Sequence, residues 1–155
     1  VIKHALDWLM AEENYLPDAL VYLQPTSPLR KAQHIDAALE LLFSQNADTV
    51  VSVVEVPHNF NPVSVMKMHG GVLEPFMGDL GPLRRQDKPK VLARNGPAVL
   101  ALKRATVQEL NTLYGPRTLP LVMEPEDSLD IDRQLDLDLA AWLLQQREAR
   151  QNGRR

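Results

Sequence analysis

The sequence has no cysteine among its 155 residues, which excludes a disulfide framework, a thiolate metal site and a cysteine nucleophile. No apolar run is long enough to span a membrane, so a membrane partner is not expected. Basic residues are not in excess: 17 Lys and Arg against 20 Asp and Glu give a net charge of −3, which argues against nucleic acid as a partner. The amphipathic opening does not resemble a signal peptide, so we expect a cytoplasmic protein, and whether its natural start lies upstream of Val1 stays open.

One stretch near the start organises the rest of the chain. Residues 19–23 are apolar and favour a buried strand, which Pro25 ends because proline cannot donate to a sheet ladder. Ser27 before Pro28 is a plausible helix cap, and apolar residues at helical spacing then predict a helix to about residue 45. In open α/β sheets, the loop of such a strand–loop–helix unit lines the ligand crevice.

The loop of this unit carries the polar residues Gln24 and Ser27. An amide such as Gln24 can match donor and acceptor positions on a ligand. The alternative is that both side chains only satisfy backbone groups of the loop, and generic chemistry favours that interpretation.

The remaining pattern predicts one α/β domain over 1–155. The β-branched run at 49–54 predicts a second buried strand, and a helix between two buried strands favours a parallel βαβ crossover. The His-Gly-Gly sequence at 69–71 predicts a β-hairpin within an excursion at 56–90, whose apolar residues are typical of an interface, so we expect a homodimer. Further expected elements are a strand at 98–102, a helix at 104–113, a strand at 119–123, and a helix from 135 that fades into a polar tail at 145–155.

A basic cluster follows the hairpin. Such a cluster is usually a solvated surface, but arginine geometry also suits an anion clamp for carboxylate or phosphate. Its members are Arg84, Arg85, Lys88, Lys90 and Arg94.

The segment 127–138 contains five aspartates. Asp130 and Asp132 alternate around an apolar residue, which in an extended segment places both carboxylates on one face. Two hard oxygen ligands close together suit Mg²⁺. The alternative is that Asp132 caps the following helix, and Asp136 is expected in the first helical turn, where carboxylates favour the helix dipole.

Three motifs together resemble the acylneuraminate cytidylyltransferases, the CMP-sialic acid synthetase family. The resemblance covers nearly the whole chain and implies a Rossmann-like three-layer nucleotide-diphospho-sugar transferase fold. It also implies cytidylyl transfer from CTP to a sialic-acid-like nine-carbon α-keto acid sugar, with release of pyrophosphate and Mg²⁺ as cofactor. The motifs are Leu23-Gln-Pro-Thr-Ser-Pro-Leu-Arg30, Arg94-Asn-Gly96, and Ser128-Leu-Asp-Ile-Asp132 with Asp136-Leu137.

The resemblance also implies the roles of individual residues. Asp130 and Asp132 match the catalytic, metal-binding pair of the family. The substrate-binding residues that it implies are Gln24, Ser27, Arg85, Arg94, Asn95 and Tyr114.

Two departures from the family pattern limit what the resemblance implies. The family's Gly-rich nucleotide loop has no counterpart, so we expect an N-terminally truncated catalyst that binds CTP weakly by itself. Ser64 stands where some members have a lysine in the dimerisation segment, which leaves the acid open. The alternatives are a cytidylyltransferase for legionaminic, pseudaminic or 3-deoxy-octulosonic acid, or a truncated non-catalytic sugar-binding or dimerisation module.

Overall fold

The computed structural model describes residues 1–79 and 84–153. The chain divides into two compact units. The first unit comprises Val1–Val53 and Arg94–Arg155, and the second comprises Val54–Ala93. Part of the predicted excursion, 80–83, lies outside the described residues.

The described residues form four α-helices and seven β-strands, together with short 3₁₀ turns. None of the helices in the described ranges is long and apolar enough to cross a bilayer. In chain order the elements are α1 (Ile2–Glu13), β1 (Ala19–Tyr22), α2 (Ala32–Ser44), β2 (Thr49–Glu55), β3 (Met66–His69), β4 (Val72–Pro75), β5 (Leu92–Arg94), β6 (Leu100–Lys103), α3 (Arg104–Gln108), β7 (Thr118–Val122) and α4 (Gln134–Asn152).

The main sheet is mixed, in the order β1-β6-β2-β5, with β7 also paired to β2. Strand β6 is antiparallel to both β1 and β2, and Ala101 lies opposite Val21 and Val50. Strands β2 and β7 run parallel, with Val50 opposite Leu119. Helices and a mixed sheet confirm the predicted α/β class.

The predicted βαβ crossover would make β1 and β2 direct neighbours in the sheet, and they are not. Strands β1 and β2 are both antiparallel to β6, so they share a direction, but β6 lies between them. Local pattern predicts a strand but not its neighbour, because pairing is decided by contacts far apart along the chain.

Two buried apolar clusters occupy the two faces of the sheet in the first unit. Val50 packs in one cluster with Leu42 of α2. The next residue, Val51, packs in the other with Leu6 of α1 and Val107 of α3. Because successive strand side chains point to opposite faces, α2 covers one face and α1 with α3 covers the other.

The prediction that Ser27 caps α2 is wrong. The helix begins at Ala32, and Lys31 is its N-cap. The Lys31 backbone N–H donates to Nδ1 of His34 at 3.1 Å, which satisfies an amide at the helix start. Ser27 is fully buried and forms a tertiary contact instead, which its local sequence could not reveal.

Two helix ends also differ from prediction. Helix α3 ends at Gln108, not at 113, and Asn111 has a positive φ of 50°, which interrupts helical geometry. Helix α4 continues to Asn152, whereas a polar tail was expected from 145. Arg147 explains part of this difference, because it bonds to carbonyl groups of distant segments and so ties the polar half of the helix to the fold.

The second unit is built on the predicted hairpin. Strands β3 and β4 are antiparallel, and His69 lies opposite Val72. Gly70 and Gly71 have φ values of +58° and +81°, as a tight two-residue turn of type I′ requires. The hairpin strands have exposed apolar side chains, among them Met68, Val72 and Leu73.

Candidate active site

Three side-chain oxygens from two distant segments converge on Gly96, in the turn before β6. A Cβ atom at this position would lie 3.1 Å from Ser27 Oγ, 3.2 Å from Gln24 Oε1 and 3.3 Å from Asp130 Oδ2. Gly96 also has a φ of +113°, which glycine adopts without the strain that a side chain would add. Glycine is therefore needed here for backbone conformation and for space, and the oxygens share the volume that a side chain would fill.

The two segments that supply these oxygens are bonded to each other. The Ile131 N–H donates to the Thr26 carbonyl oxygen at 2.9 Å. The Ser27 hydroxyl lies 3.5 Å from Asp130 Oδ1. Ser27 is buried and Asp130 is half-buried, so the loop after β1 and the acidic segment form one surface.

Arg30 holds the loop after β1 in shape. Its Nη1 donates to the Gln24 carbonyl at 2.6 Å and to the Ala98 carbonyl at 3.1 Å. Because the second carbonyl lies just beyond Gly96, this guanidinium fixes the Gln24 backbone relative to the glycine turn. Arg30 therefore satisfies backbone carbonyl groups of the loop and of the turn beyond it.

Asn95 braces the site from inside the fold. The side chain is 6% exposed, and its Oδ1 accepts a 2.6 Å hydrogen bond from the Ser52 hydroxyl. Its Nδ2 donates to Ser128 Oγ at 2.9 Å. Asn95 thus joins the middle of β2 to the start of the acidic segment, and its predicted role in substrate binding stays a prediction.

Arg94 and Tyr114 form the outer wall of the site. The Arg94 guanidinium carbon lies 5.1 Å from the centre of the Tyr114 ring, within cation–π range. A cavity of about 440 Å³ is lined by these two residues with Gly96 and Pro97. Among the described residues Arg94 makes no ion pair, so its charge is available to an anionic ligand.

A second cavity of about 590 Å³ adjoins the first through shared lining residues, Pro97 and Tyr114. Gln24 also lines it, together with Tyr22 and Asn111. Its walls are largely apolar with a few polar groups, which is typical of small-molecule sites.

The two predicted metal ligands differ in their surroundings. Asp130 is half-buried with one carboxylate oxygen towards Gly96, whereas Asp132 is exposed. The described residues contain no group of three or more His, Cys, Asp or Glu able to hold a metal. The oxygens that the structure brings together around Gly96 are one carboxylate oxygen of Asp130, the Ser27 hydroxyl and the Gln24 amide oxygen.

Asp132 does not cap α4, so that alternative is wrong. The N-cap is Arg133, and Asp136 Oδ2 accepts its backbone N–H at 2.9 Å and that of Asp132 at 3.3 Å. A hydrogen bond from the Arg133 side chain is the main cause that lowers the pKa of Asp136 below its usual 3.8. Asp136 therefore has the helix-start role that the sequence predicted for it.

Asp127 is the buried carboxylate at the centre of a charge cluster that the sequence did not reveal. Its carboxylate is 4% exposed; Oδ1 accepts from Arg147, and Oδ2 lies 2.6 Å from Lys31 Nζ and 3.4 Å from His34 Nε2. Burial lowers the pKa of His34 below 6.5, and the Asp127 charge acts against this effect. In the sequence, Asp127 was one aspartate among five, and no local signal marked it as the buried one.

Arg85 belongs to the second unit. It begins a 3₁₀ turn, Arg85–Asp87, and is exposed. Gln24, Ser27, Arg94, Asn95, Tyr114, Asp130 and Asp132 all belong to the first unit.

An α/β domain whose loops present carboxylates, an arginine and an open cavity fits a nucleotidyltransferase-like domain. No protein-family model matches the chain. It is 34% identical over 116 residues to the N-acylneuraminate cytidylyltransferase of Streptococcus agalactiae serotype V, covering 75% of this chain and 28% of that protein. It is 36% identical over 126 residues to N-acylneuraminate cytidylyltransferase A of Danio rerio, covering 79% of this chain and 28% of that protein.

The chain is a relative of the N-acylneuraminate cytidylyltransferases, so the family predicted from its motifs is confirmed. It spans 28% of the length of these two curated relatives. It is also 25% identical over 146 residues to the post-translational flagellin modification protein B of Campylobacter coli, covering 91% of this chain and 60% of that protein.

Proposed function

We propose that this chain forms part of a cytidylyltransferase that joins the cytidylyl group of CTP to a sialic-acid-like nine-carbon α-keto acid sugar. The products are a CMP-sugar and pyrophosphate. The relatives named N-acylneuraminate cytidylyltransferase support the reaction class. The observation that carries the proposal is the convergence of Gln24, Ser27 and Asp130 on Gly96, beside a cavity that Arg94 lines.

The chemistry of phosphoryl transfer explains why this arrangement suits the reaction. The anomeric hydroxyl of the sugar attacks the α-phosphorus of CTP in line with the leaving pyrophosphate, and catalysis consists mainly of positioning and charge stabilisation. Gln24 orients the sugar through its amide, which offers both donor and acceptor groups. Arg94 meets negative charge, and its position over Tyr114 restrains the guanidinium.

The donor set fits a magnesium ion. Mg²⁺ prefers hard oxygen ligands and is commonly held by one or two carboxylates with substrate phosphates completing its shell. Asp130 and Asp132 are the residues that we assign to it, and when bound it neutralises charge on the phosphates. Ser27 supports the assignment, because its hydroxyl contacts one oxygen of Asp130 while the other oxygen lies towards Gly96.

The finer fold and the assembly are part of the same proposal. We assign the domain to the Rossmann-like three-layer type, supported by helices on both sheet faces.

We assign the excursion at 56–90 to a homodimer contact, because exposed apolar groups on a hairpin are typical of interfaces. In such a dimer Arg85 would serve the substrate site of the partner subunit. Sedimentation equilibrium at micromolar concentration checks the dimer, and a monomer would contradict it.

Turnover of CTP with a panel of acid sugars, measured on the cytidylyltransferase of which this chain is proposed to form part, tests the function. The proposal predicts pyrophosphate release that depends on both CTP and an N-acylneuraminic acid, and on Mg²⁺. The second candidate is a cytidylyltransferase that uses another acid. The match to the flagellin modification protein favours testing it, because that relative is not named as an N-acylneuraminate cytidylyltransferase. Turnover with legionaminic, pseudaminic or 3-deoxy-octulosonic acid alone would select the second candidate. No turnover with any acid, together with retained dimerisation, would favour a non-catalytic module.

A further inference from the structure

The guanidinium of Arg147 bonds to both segments that build the candidate site. Its Nη1 donates to the Leu29 carbonyl at 2.9 Å, in the loop that carries Ser27. Its Nη2 donates to the Glu126 carbonyl at 3.1 Å and to Asp127 Oδ1, at the base of the acidic segment. One side chain of α4 therefore joins the two segments.

Asp127 extends this connection to the start of α2. Its second oxygen, Oδ2, accepts from Lys31 Nζ at 2.6 Å, so the two oxygens of one buried carboxylate join different elements. Buried ion pairs gain their strength from such additional hydrogen bonds, and removing one partner leaves the other charge buried and uncompensated. Because the Asp127 carboxylate is 4% exposed, loss of Arg147 leaves a buried negative charge with fewer partners.

The direct connections between the Ser27 loop and the acidic segment are weaker. One backbone bond joins Ile131 to Thr26, and the contact between Ser27 and Asp130 is long, at 3.5 Å. The separation between the Ser27 hydroxyl and the Asp130 carboxylate therefore depends also on the other bonds that hold the two segments together, among them those of Arg147. Leu29 is two positions after Ser27, and Asp127 is three before Asp130.

We infer that Arg147 is a positioning residue that sets the distance between the Ser27 loop and the Asp130 carboxylate. The role in cation binding rests on the function proposed above. Arg147 touches neither the substrate cavity nor the assigned metal ligands, and it acts through Leu29 and Asp127. Outer residues that orient metal ligands typically change metal affinity by about 10–100-fold when mutated.

Amide hydrogen exchange separates positioning from general stability. In Arg147→Met, the Ile131 amide, which reports the bond to Thr26, exchanges about tenfold or more faster, as loss of charged hydrogen bonds implies. The Ser52 amide, which donates to the Val99 carbonyl at 2.8 Å in the core, keeps its rate. Arg147→Lys keeps the positive charge opposite Asp127 but lacks the second guanidinium nitrogen that bonds to another segment. The Ile131 amide should therefore exchange at an intermediate rate. The control is Arg150→Met, an exposed arginine of the same helix, with both rates unchanged.

Binding of Mn²⁺, followed by electron paramagnetic resonance, provides the second readout. Arg147→Met weakens Mn²⁺ binding by about 10–100-fold, and Arg150→Met leaves it unchanged. An unchanged Ile131 rate, or equal acceleration of Ile131 and Ser52, would overturn the inference. If Arg147→Met does not fold, Arg147→Lys decides by the same two amides. Failure of the parent protein to bind Mn²⁺ or turn over any acid would refute the proposed function, while the Ile131 rate would still decide the positioning role.

Discussion

The hydroxyl of Ser27 lies 3.5 Å from Asp130 Oδ1, although 103 positions separate the two residues along the chain. Ser27 is completely buried, so its hydroxyl has a fixed place from which to meet the carboxylate. Asp130 Oδ2 then faces Gly96, where Gln24 Oε1 also points. This contact brings two motifs that look unrelated in the sequence into one site.

Substitution of Gly96 by alanine tests whether the oxygens need the space that glycine leaves. Gly96→Ala adds a Cβ within 3.1–3.3 Å of three oxygens, at a φ of +113°. We expect a loss of about 1–2 kcal/mol from backbone strain alone, and a clear loss of Mn²⁺ affinity. Denaturant unfolding and cation titration measure the two effects.

The matched control for this substitution is Gly71→Ala in the hairpin. Gly71 has a φ of +81°, but no atom lies within 4 Å of its added Cβ. This variant should lose stability without losing cation affinity. Equal effects of both substitutions on cation binding would show that the space at Gly96 is not used by a ligand.

Removal of the Asn95 side chain tests its role as a brace. In Asn95→Ala the buried Ser52 hydroxyl loses its acceptor and Ser128 loses a donor, which should cost about 1–3 kcal/mol in free energy of unfolding. Asn59→Ala, at an exposed position, serves as control in the same denaturant titration. A stability equal to the parent's would contradict the brace and leave substrate contact as the explanation of Asn95.

His34 predicts a pH dependence of stability. Burial is the main cause that lowers its pKa in the folded protein, the nearby charges of Lys31 and Arg147 act in the same direction, and the Asp127 charge opposes them. The unfolded chain therefore binds a proton at His34 at a higher pH than the folded protein does. The stability contribution of neutral His34 is complete above its unfolded pKa of 6.5, and falls as the pH drops towards the folded pKa.

Thermal melts across this pH range check the prediction. The His34→Gln variant should show a shallower fall in melting temperature below neutral pH than the parent. The control, His4→Gln on the exposed side of α1, should keep the slope of the parent. If the melting temperatures of the parent and His34→Gln fall equally with pH, His34 is not the cause of the pH dependence.

We also expect Asp136 to make the stability of the protein depend on pH in the acid range. The hydrogen bond from Arg133 holds the pKa of Asp136 below 3.8 in the folded protein. Its contribution to stability is therefore present above 3.8 and lost as the pH falls through the folded pKa. Asp136→Asn should melt below the parent at neutral pH, converge with it in strong acid and keep turnover nearly intact. A large loss of turnover would mean that Asp136 belongs to the reaction site.

The sequence predicted the strands of the main sheet better than their arrangement. The β-branched run at 49–54 and the apolar run at 98–102 each correspond to an observed strand, β2 and β6. Their adjacency was not predictable, because β6 pairs with both β1 and β2 through contacts between segments remote in sequence. The end of α4 was missed for a related reason, since polar composition after 145 hid the tertiary bonds that Arg147 makes.

The candidate site was predictable in its residues but not in its geometry. Motif resemblance named Gln24, Ser27 and Asp130, and the structure brings these three together. Gly96 was named only as the end of the second motif, with no role of its own, because a residue without a side chain gives no signal of what surrounds it. The connection between Asp127 and Arg147 could not be read from sequence either, since it depends on how α4 packs.

The metal assignment is tested by turnover across a Mg²⁺ titration, with a thermal melt, for Asp130→Asn and Asp132→Asn in the cytidylyltransferase of which this chain is proposed to form part. Both substitutions keep shape and remove one negative charge from the assigned metal site. We expect the activity of both variants to fall by orders of magnitude and to recover partly at high Mg²⁺. Asp132→Asn should melt close to the parent, because Asp132 is exposed. Activity and Mg²⁺ dependence equal to the parent's in both variants would contradict the metal assignment and the active site built on it.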